Sequence, residues 1–199
     1  MHAYDELMAR LKDIDLISQV DGLVGWDQEV MMPPKAAGLR AEQLSWISRT
    51  GHEMITDSRI GELLSDLESR DDLDEIQAGN LRLARESYDK ATKLPTEFVG
   101  ELAKHQSKSQ VSWTEARAAD DFSIFRDDLA KMIDMCRQKA DYLGYENLRY
   151  DALLDLYESG LTVARVDPLF AGLRENVAPL VKAVVERGER PHMAFVDDN

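Results

Sequence analysis

A short segment in the first third of the chain resembles the start of a zinc-binding helix motif. His52-Glu53-Met54-Ile55-Thr56 begins like H-E-x-x-H, in which residues i and i+4 of a helix bring two imidazoles to one zinc ion while the Glu activates the bound water. Here the i+4 residue is Thr56, so the segment offers a single imidazole, and the next histidine is His105. We therefore interpret His52 as a structural histidine near a helix end.

Other arrangements that could hold a metal, a phosphate or a nucleophile are broken in this sequence. The Glu-x-x-His spacing of di-iron helical bundles occurs at Glu189-Arg190-Pro191-His192, where Pro191 interrupts the helix that the motif needs. The histidines are scattered, Gly-rich phosphate loops and a G-x-S-x-G turn are absent, and Cys136 has the spacing of a small core residue. The sequence predicts no catalytic residue, no metal ligand and no cofactor in this chain.

The pair Trp26-Asp27 is a candidate for the wall of a substrate cleft. It stands near the predicted end of the first helix and shortly before two prolines. One interpretation places the Asp27 carboxylate at a cleft. The other, which we favour, has Asp27 accept hydrogen bonds from free backbone amides at a turn.

A second candidate lies in the run from Tyr150 to Glu158. If this run is one helix, Asp151, Asp155 and Glu158 share a face at i, i+4 and i+7. Three carboxylates on one face repel unless they coordinate an ion or meet cations, and ion pairs with Arg or Lys of neighbouring helices are the interpretation we favour. The candidate substrate-binding residues are thus Trp26, Asp27, Tyr150, Asp151, Asp155 and Glu158.

Helices are predicted along almost the whole chain, because apolar residues recur at three- and four-residue spacing. No segment alternates at period two over the length of a strand. The fold class is therefore all-α, a multi-helix array of long antiparallel helices that forms one lobe of a larger architecture. The eight predicted helices are Tyr4 to about Gly25, Lys35 to Ile55, one capped by Asp57, one from near Asp71, one opened by Pro95, one closed by Gly144, the Tyr150–Glu158 run, and Thr162 to Gly188.

Composition excludes several classes of protein. The chain has 199 residues, a formal net charge of -14 and a single cysteine. The charge disfavours a nucleic-acid partner, since phosphate binding needs a basic surface. The lone cysteine suits a reducing compartment, and neither a signal peptide nor a membrane-spanning stretch is present, so we predict a cytoplasmic protein. Residues 1–188 are predicted as one helical region, followed by an irregular tail, 189–199, that has the look of a truncation.

Short motifs in a fixed order resemble the amino-terminal region of the carboxypeptidase Taq family of zinc metallocarboxypeptidases. Each motif alone is weak, and their joint order and spacing carry the resemblance from about Tyr4 to Leu180. One departure is Ser159, where the family usually has Pro. The matching pieces are Trp26-Asp27-Gln28 with Met31-Met32-Pro33, Arg40 with Glu42-Gln43, His52-Glu53, Leu94-Pro95, Trp113 with Ala116-Arg117, Phe122 with Phe125, Tyr142-Leu143-Gly144, Tyr150 through Glu158 with Gly160, and Pro168-Leu169-Phe170.

The resemblance implies a mostly helical, cleft-bearing enzyme that removes residues from peptide C-termini, generally as a cytoplasmic homodimer. Family members hold zinc with the two His of H-E-x-x-H and a downstream Glu, and the motif Glu is the general base. None of these residues has a counterpart in this chain. We therefore expect zinc in the full-length family enzyme, and we expect these 199 residues alone to be inactive.

Two alternatives to a truncated metallocarboxypeptidase stay open. The chain could be a naturally short, non-catalytic helical protein derived from that family and kept for binding or interaction. It could also be an unrelated helical scaffold with chance matches. A truncated enzyme is expected to expose a larger apolar patch than a typical monomer, whereas a naturally short protein is expected to close its surface.

Overall fold

The computed structural model describes residues 3–188, which form helices and short connections without a strand. This confirms the predicted all-α class. The predicted tail 189–199 lies outside the described residues. The helices are α1 (Ala3–Val30), α2 (Ala37–Ile55), α3 (Ser58–Glu68), α4 (Glu75–Thr92), α5 (Thr96–Ala119), α6 (Ser123–Leu143), α7 (Arg149–Leu154) and α8 (Val163–Arg187), with a short 3-10 helix, Pro34–Ala36, before α2.

The chain divides into two compact units. The first ends at Gly144 and contains α1 to α6, and the second begins at Tyr145 and contains α7 and α8. Each unit is described by itself below. No helix within residues 3–188 combines the length and the apolar character that crossing a membrane requires.

The first helix is longer than predicted. It continues past Gly25 to Val30, and the amides of Met31 and Met32 both donate to the Asp27 carbonyl at its end. Glycine inside a helix costs only about 1 kcal/mol relative to alanine, so it does not end the helix by itself. The prolines at 33 and 34 do end it, because proline has no amide to donate and its ring clashes with the preceding turn.

The core of the first unit lies between α1, α3 and α4. As predicted, Asp57 caps α3, and its side chain accepts a hydrogen bond from the Arg59 amide at 2.8 Å. The spacing of the apolar residues in α3 points them to one side, where they meet Leu7 of α1 and the inner face of α4. The buried cluster consists of Leu7, Ile60, Leu63, Leu64, Leu67, Leu81 and Ala84.

The fourth helix starts later than predicted. It begins at Glu75 rather than near Asp71, because Asp74 and Gln77 form a reciprocal capping box. The Asp74 carboxylate accepts the Gln77 amide at 2.8 Å, and the Gln77 side chain accepts the Asp74 amide at 3.1 Å. These two bonds satisfy amides that the first turn of a helix leaves without partners.

We expect Asp74→Ala to lower the free energy of unfolding of the first unit by about 1 kcal/mol, the usual cost of losing an N-cap. Asp71→Ala is the matched control, since Asp71 precedes the helix, and we expect it to have little effect. Urea denaturation followed by tryptophan fluorescence measures both. Equal losses in the two variants would contradict the capping box.

The second helix packs closely against α5 through small residues. A Cβ added to Gly100 would lie 2.6 Å from Cγ of Arg49 and 3.1 Å from Oγ of Ser45, so glycine is what permits this approach. Further along α5, the buried His105 imidazole donates through Nε2 to the Asp128 carbonyl of α6 at 2.9 Å. At the far end of α6, Lys93 Nζ donates to the Leu143 carbonyl at 2.9 Å. These contacts join α2, α5 and α6 side by side.

The second unit leaves its long helix exposed. Of the residues that make up α8, none is buried, although the helix carries many large apolar side chains. Pro168 and Pro179 lie inside α8, and Gly188 ends it with a positive φ of 68°, as the sequence predicted. The exposed apolar residues of α8 are Leu169, Phe170, Leu173, Val177, Leu180, Val181, Val184 and Val185.

Candidate functional site

The imidazole of His52 is buried and is used for structure. Its Nδ1 lies 2.9 Å from the Thr96 hydroxyl, and its Nε2 lies 3.0 Å from the Ala91 carbonyl. A carbonyl only accepts, so Nε2 donates to Ala91, which leaves Nδ1 to pair with the Thr96 hydroxyl. Both ring nitrogens therefore form hydrogen bonds with protein atoms. This agrees with the structural role that we predicted for His52 because the motif lacks its second histidine.

Asp27 pairs with an arginine of α2. Nη2 of Arg40 donates to the Asp27 carboxylate, and Nη1 donates to the Val24 carbonyl at 2.6 Å. Nε of Arg40 also reaches the Gln43 side chain at 3.1 Å. The guanidinium thus fastens the end of α1 to the start of α2. The favoured interpretation, that the Asp27 carboxylate accepts backbone amides at a turn, is wrong because Asp27 lies inside the longer α1.

Trp26 precedes Asp27 in α1 and has 56% of its surface exposed. Gln28, two residues after Trp26, faces α5, where its side chain accepts a hydrogen bond from the buried Ser107 hydroxyl at 2.6 Å. The Trp26-Asp27-Gln28 segment therefore has one aromatic ring open to solvent and two polar side chains that hold α2 and α5. A role for Trp26 and Asp27 at a substrate cleft stays a prediction.

A polar recess lies between α1, α2 and α5, and the sequence analysis did not identify it. Its volume is about 240 Å³, and polar side chains such as Gln28, Ser48 and Gln110 line it. Asp21 also lines it, and Oδ1 of Asp21 is buried without a hydrogen-bond partner among the described residues. Burial raises the pKa of this carboxyl. The only sequence signal is an acidic residue at a position that the helical spacing places on the inner face of α1.

A second concave surface lies where α5 turns into α6. It has a volume of about 580 Å³ and is lined by aromatic and charged side chains. The Arg117 guanidinium lies 6.0 Å from the centre of the Trp113 ring, within cation–π range. Asp120 at the end of α5 has a left-handed conformation, with φ of 50°. The remaining lining residues are Ala116, Asp121, Phe122 and Phe125.

In the second unit, the predicted helix from Tyr150 to Glu158 is shorter than expected. The regular helix α7 ends at Leu154. Beyond it the amides of Leu156 and Tyr157 donate to carbonyls three residues back, so the 3.6-residue periodicity is lost. Glu158 therefore lies past the helix, and the prediction that it shares a helix face with Asp151 and Asp155 is wrong.

The two aspartates hold the backbone of the segment that links α7 to α8. The Asp151 carboxylate accepts the Leu148 amide at 3.2 Å and the Val163 amide at 2.8 Å. The Asp155 carboxylate accepts the Gly160 amide at 2.7 Å, and Gly160 has a positive φ of 74°. The sequence left two alternatives open for these carboxylates, an ion site and ion pairs. Neither alternative included hydrogen bonds to backbone amides.

The aromatic residues of the run are open to solvent. Tyr150 is 59% exposed and Tyr157 is 89% exposed. They belong to the second unit, whereas Trp26 and Asp27 belong to the first. A part for Tyr150, Asp151, Asp155 and Glu158 in substrate binding stays a prediction.

The donor set of the described residues does not fit a zinc ion. Within residues 3–188, no three His, Cys, Asp or Glu side chains lie close enough together to hold a metal. The two histidines in this range, His52 and His105, each direct a ring nitrogen at a backbone carbonyl. No reaction step through a metal follows from these residues.

Comparison with known proteins identifies a peptidase family over nearly the whole chain. Residues 6–198 match the family described as Carboxypeptidase Taq (M32) metallopeptidase. Carboxypeptidase 1 of Bacillus subtilis is 35% identical over 198 residues, covering 98% of this chain and 40% of the relative. Thermostable carboxypeptidase 1 of Pyrococcus furiosus is 34% identical over 186 residues, covering 94% of this chain and 37% of the relative.

The fold is similar to that of a solved carboxypeptidase structure. The crystal structure of BsuCP superposes with a TM-score of 0.89 at 35% identity, covering 98% of this chain and 39% of that one. The chain thus spans about two-fifths of the length of the relatives it matches.

Proposed function

Since the chain belongs to the carboxypeptidase Taq (M32) metallopeptidase family, we propose that it forms the helical, non-catalytic part of a metallocarboxypeptidase. The whole enzyme would use zinc to remove residues from the C-termini of peptides. One observation carries the proposal: the chain superposes with a TM-score of 0.89 on only 39% of BsuCP. This fit supports the proposal that the chain corresponds to the matching part of a family enzyme.

The division of labour in this proposal rests on the donor set. The 199 residues include no H-E-x-x-H, and both ring nitrogens of His52 form hydrogen bonds within the protein. The zinc ligands and the general base would therefore be supplied from outside these residues. The proposed residues of the cleft wall stay Trp26, Asp27, Tyr150, Asp151, Asp155 and Glu158, and the rings of Trp26 and Tyr150 are exposed.

The proposal includes a homodimer in the cytoplasm. The single cysteine, Cys136, supports a reducing compartment. The dimer follows from the family resemblance alone. The second candidate function is a naturally short, non-catalytic binding protein derived from the family. Such a protein is expected to close the surface that would face the catalytic part, so the exposed apolar side chains of α8 favour the first candidate.

A chimera tests the proposed function. The matching two-fifths of Bacillus subtilis Carboxypeptidase 1 is replaced by this chain, and release of C-terminal amino acids from a peptide is measured with and without a chelator. We expect chelator-sensitive activity within about tenfold of the parent enzyme, since the superposition predicts that helix positions are retained.

The isolated chain is the control for this experiment. We expect it to release no amino acids and to retain no stoichiometric zinc after dialysis. A folded chimera without activity would argue against the proposed function. Zinc-dependent release by the isolated chain would contradict the assignment of the catalytic residues to another part of the enzyme.

A further inference from the structure

One face of α8 carries a continuous apolar stripe. At 100° per residue, seven of its large apolar side chains fall within about 120° of the helix circumference and extend along about 22 Å of its axis, and Val185 lies just beyond this arc. Glu175 and Lys182 lie on the opposite side. We define the α8 stripe as Leu169, Phe170, Leu173, Val177, Leu180, Val181 and Val184.

The α8 stripe is uncovered. The exposed fraction of its side chains ranges from 44% for Val177 to 62% for Leu169 and Leu180. Helices in proteins are stabilised mainly by packing of their apolar face, and α8 has no buried residue to supply that packing. A helix with this pattern is built to be covered by another apolar surface.

We propose that the α8 stripe is the docking surface for the zinc-binding part of the metallocarboxypeptidase, an inference that rests on the proposed function. Residues 6–198, which include α8, match the family, yet the larger part of BsuCP lies outside the match. Since a domain encloses a shared hydrophobic core, the apolar faces left open by one part are those that the other part covers. The occupant is therefore an apolar surface of the catalytic part.

The chemistry of the stripe sets its specificity. It offers no charge and no hydrogen-bonding side chain, so it selects a partner by shape and by apolar area rather than by ion pairs. Phe170 is the one aromatic ring in the stripe and is 59% exposed. We place it as an anchor, because aromatic side chains contribute large apolar area at interfaces.

Lysines placed in the stripe test the docking. In the chimera with Bacillus subtilis Carboxypeptidase 1, Leu173→Lys with Leu180→Lys would put two ammonium groups into the interface. We expect the carboxypeptidase activity to fall by at least about tenfold, since unpaired charges are excluded from buried interfaces. Ala171→Lys with Ala178→Lys is the matched control, because it adds two lysines at exposed positions of the same helix that lie outside the stripe. We expect its activity to stay within about twofold of the parent chimera.

Hydrogen exchange separates docking from function. In the isolated chain the amides of α8 are expected to exchange at least about tenfold faster than in the chimera, because only the chimera covers the stripe. This readout does not need activity. An inactive chimera whose α8 amides are protected would contradict the proposed function and support the docking surface.

Two outcomes would overturn the inference. One is equal activity and equal α8 protection in the Leu173→Lys/Leu180→Lys chimera and its lysine control. The other is conversion of a chimera dimer to monomers by the stripe lysines with activity unchanged, which would make a second copy the occupant. Circular dichroism of the isolated variants, whose substituted positions are exposed, checks that the helices are retained.

Discussion

Replacement of Leu64 by alanine is expected to lower the free energy of unfolding of the first unit by about 3 kcal/mol, within the range found for buried leucines. Leu64 is fully buried in the cluster between α1, α3 and α4. The loss combines the transfer free energy of the removed methyl and methylene groups with the cavity that they leave. Urea denaturation followed by tryptophan fluorescence is the suitable measurement, because all the tryptophans, Trp26, Trp46 and Trp113, lie in the first unit.

Leu23→Ala is the matched control for this prediction. Leu23 belongs to α1 and is 64% exposed, so its truncation removes little buried area. We expect a change within about 0.5 kcal/mol, as for most surface substitutions. If the two variants lost equal stability, the cluster around Leu64 would not be the core of the unit.

His52→Ala is expected to destabilise the first unit by about 2 to 3 kcal/mol. The substitution leaves the Ala91 carbonyl and the Thr96 hydroxyl without this partner, and a buried polar group that loses its hydrogen bond costs about 1 to 3 kcal/mol. The vacated ring volume adds a packing loss. The same urea titration measures it, with the exposed neighbour Glu53→Ala as control.

A zinc titration completes the test of His52. We expect excess zinc to leave the midpoint of urea unfolding unchanged in both the parent chain and His52→Ala. A zinc-dependent rise in the parent that disappears in His52→Ala would mean that the imidazole binds metal, contrary to its hydrogen bonds. Stability is the readout, so the result does not depend on activity.

The sequence predicted most helix ends well where the signal is local. Asp57, Pro95, Gly144 and Gly188 mark ends in the structure as they do in the pattern. The start of α4 was misplaced because several acidic residues precede it, and only the reciprocal bond with Gln77 selects Asp74. A helix end is thus predictable when a single residue marks it. It is ambiguous when it depends on a hydrogen bond between two residues.

The roles of the candidate site residues were harder to predict, because their partners are distant in sequence. Asp27 meets Arg40 of another helix, and Asp151 reaches the Val163 amide at the start of α8. Periodicity indicates which face of its own helix a residue occupies. It does not indicate which residue of another helix or loop that face will contact. The family resemblance, in contrast, came from many short matches in order, and it extends over nearly the whole chain.

The hydrogen bonds that link elements of the first unit have a consequence for mutational tolerance. In several of them a side chain donates to a main-chain carbonyl, and every amino acid supplies a carbonyl. As far as these bonds are concerned, the accepting positions can change identity freely while the donating positions cannot. Sequence drift should therefore be asymmetric across each helix contact, with constraint concentrated in the donors His52, His105, Lys93 and Arg40.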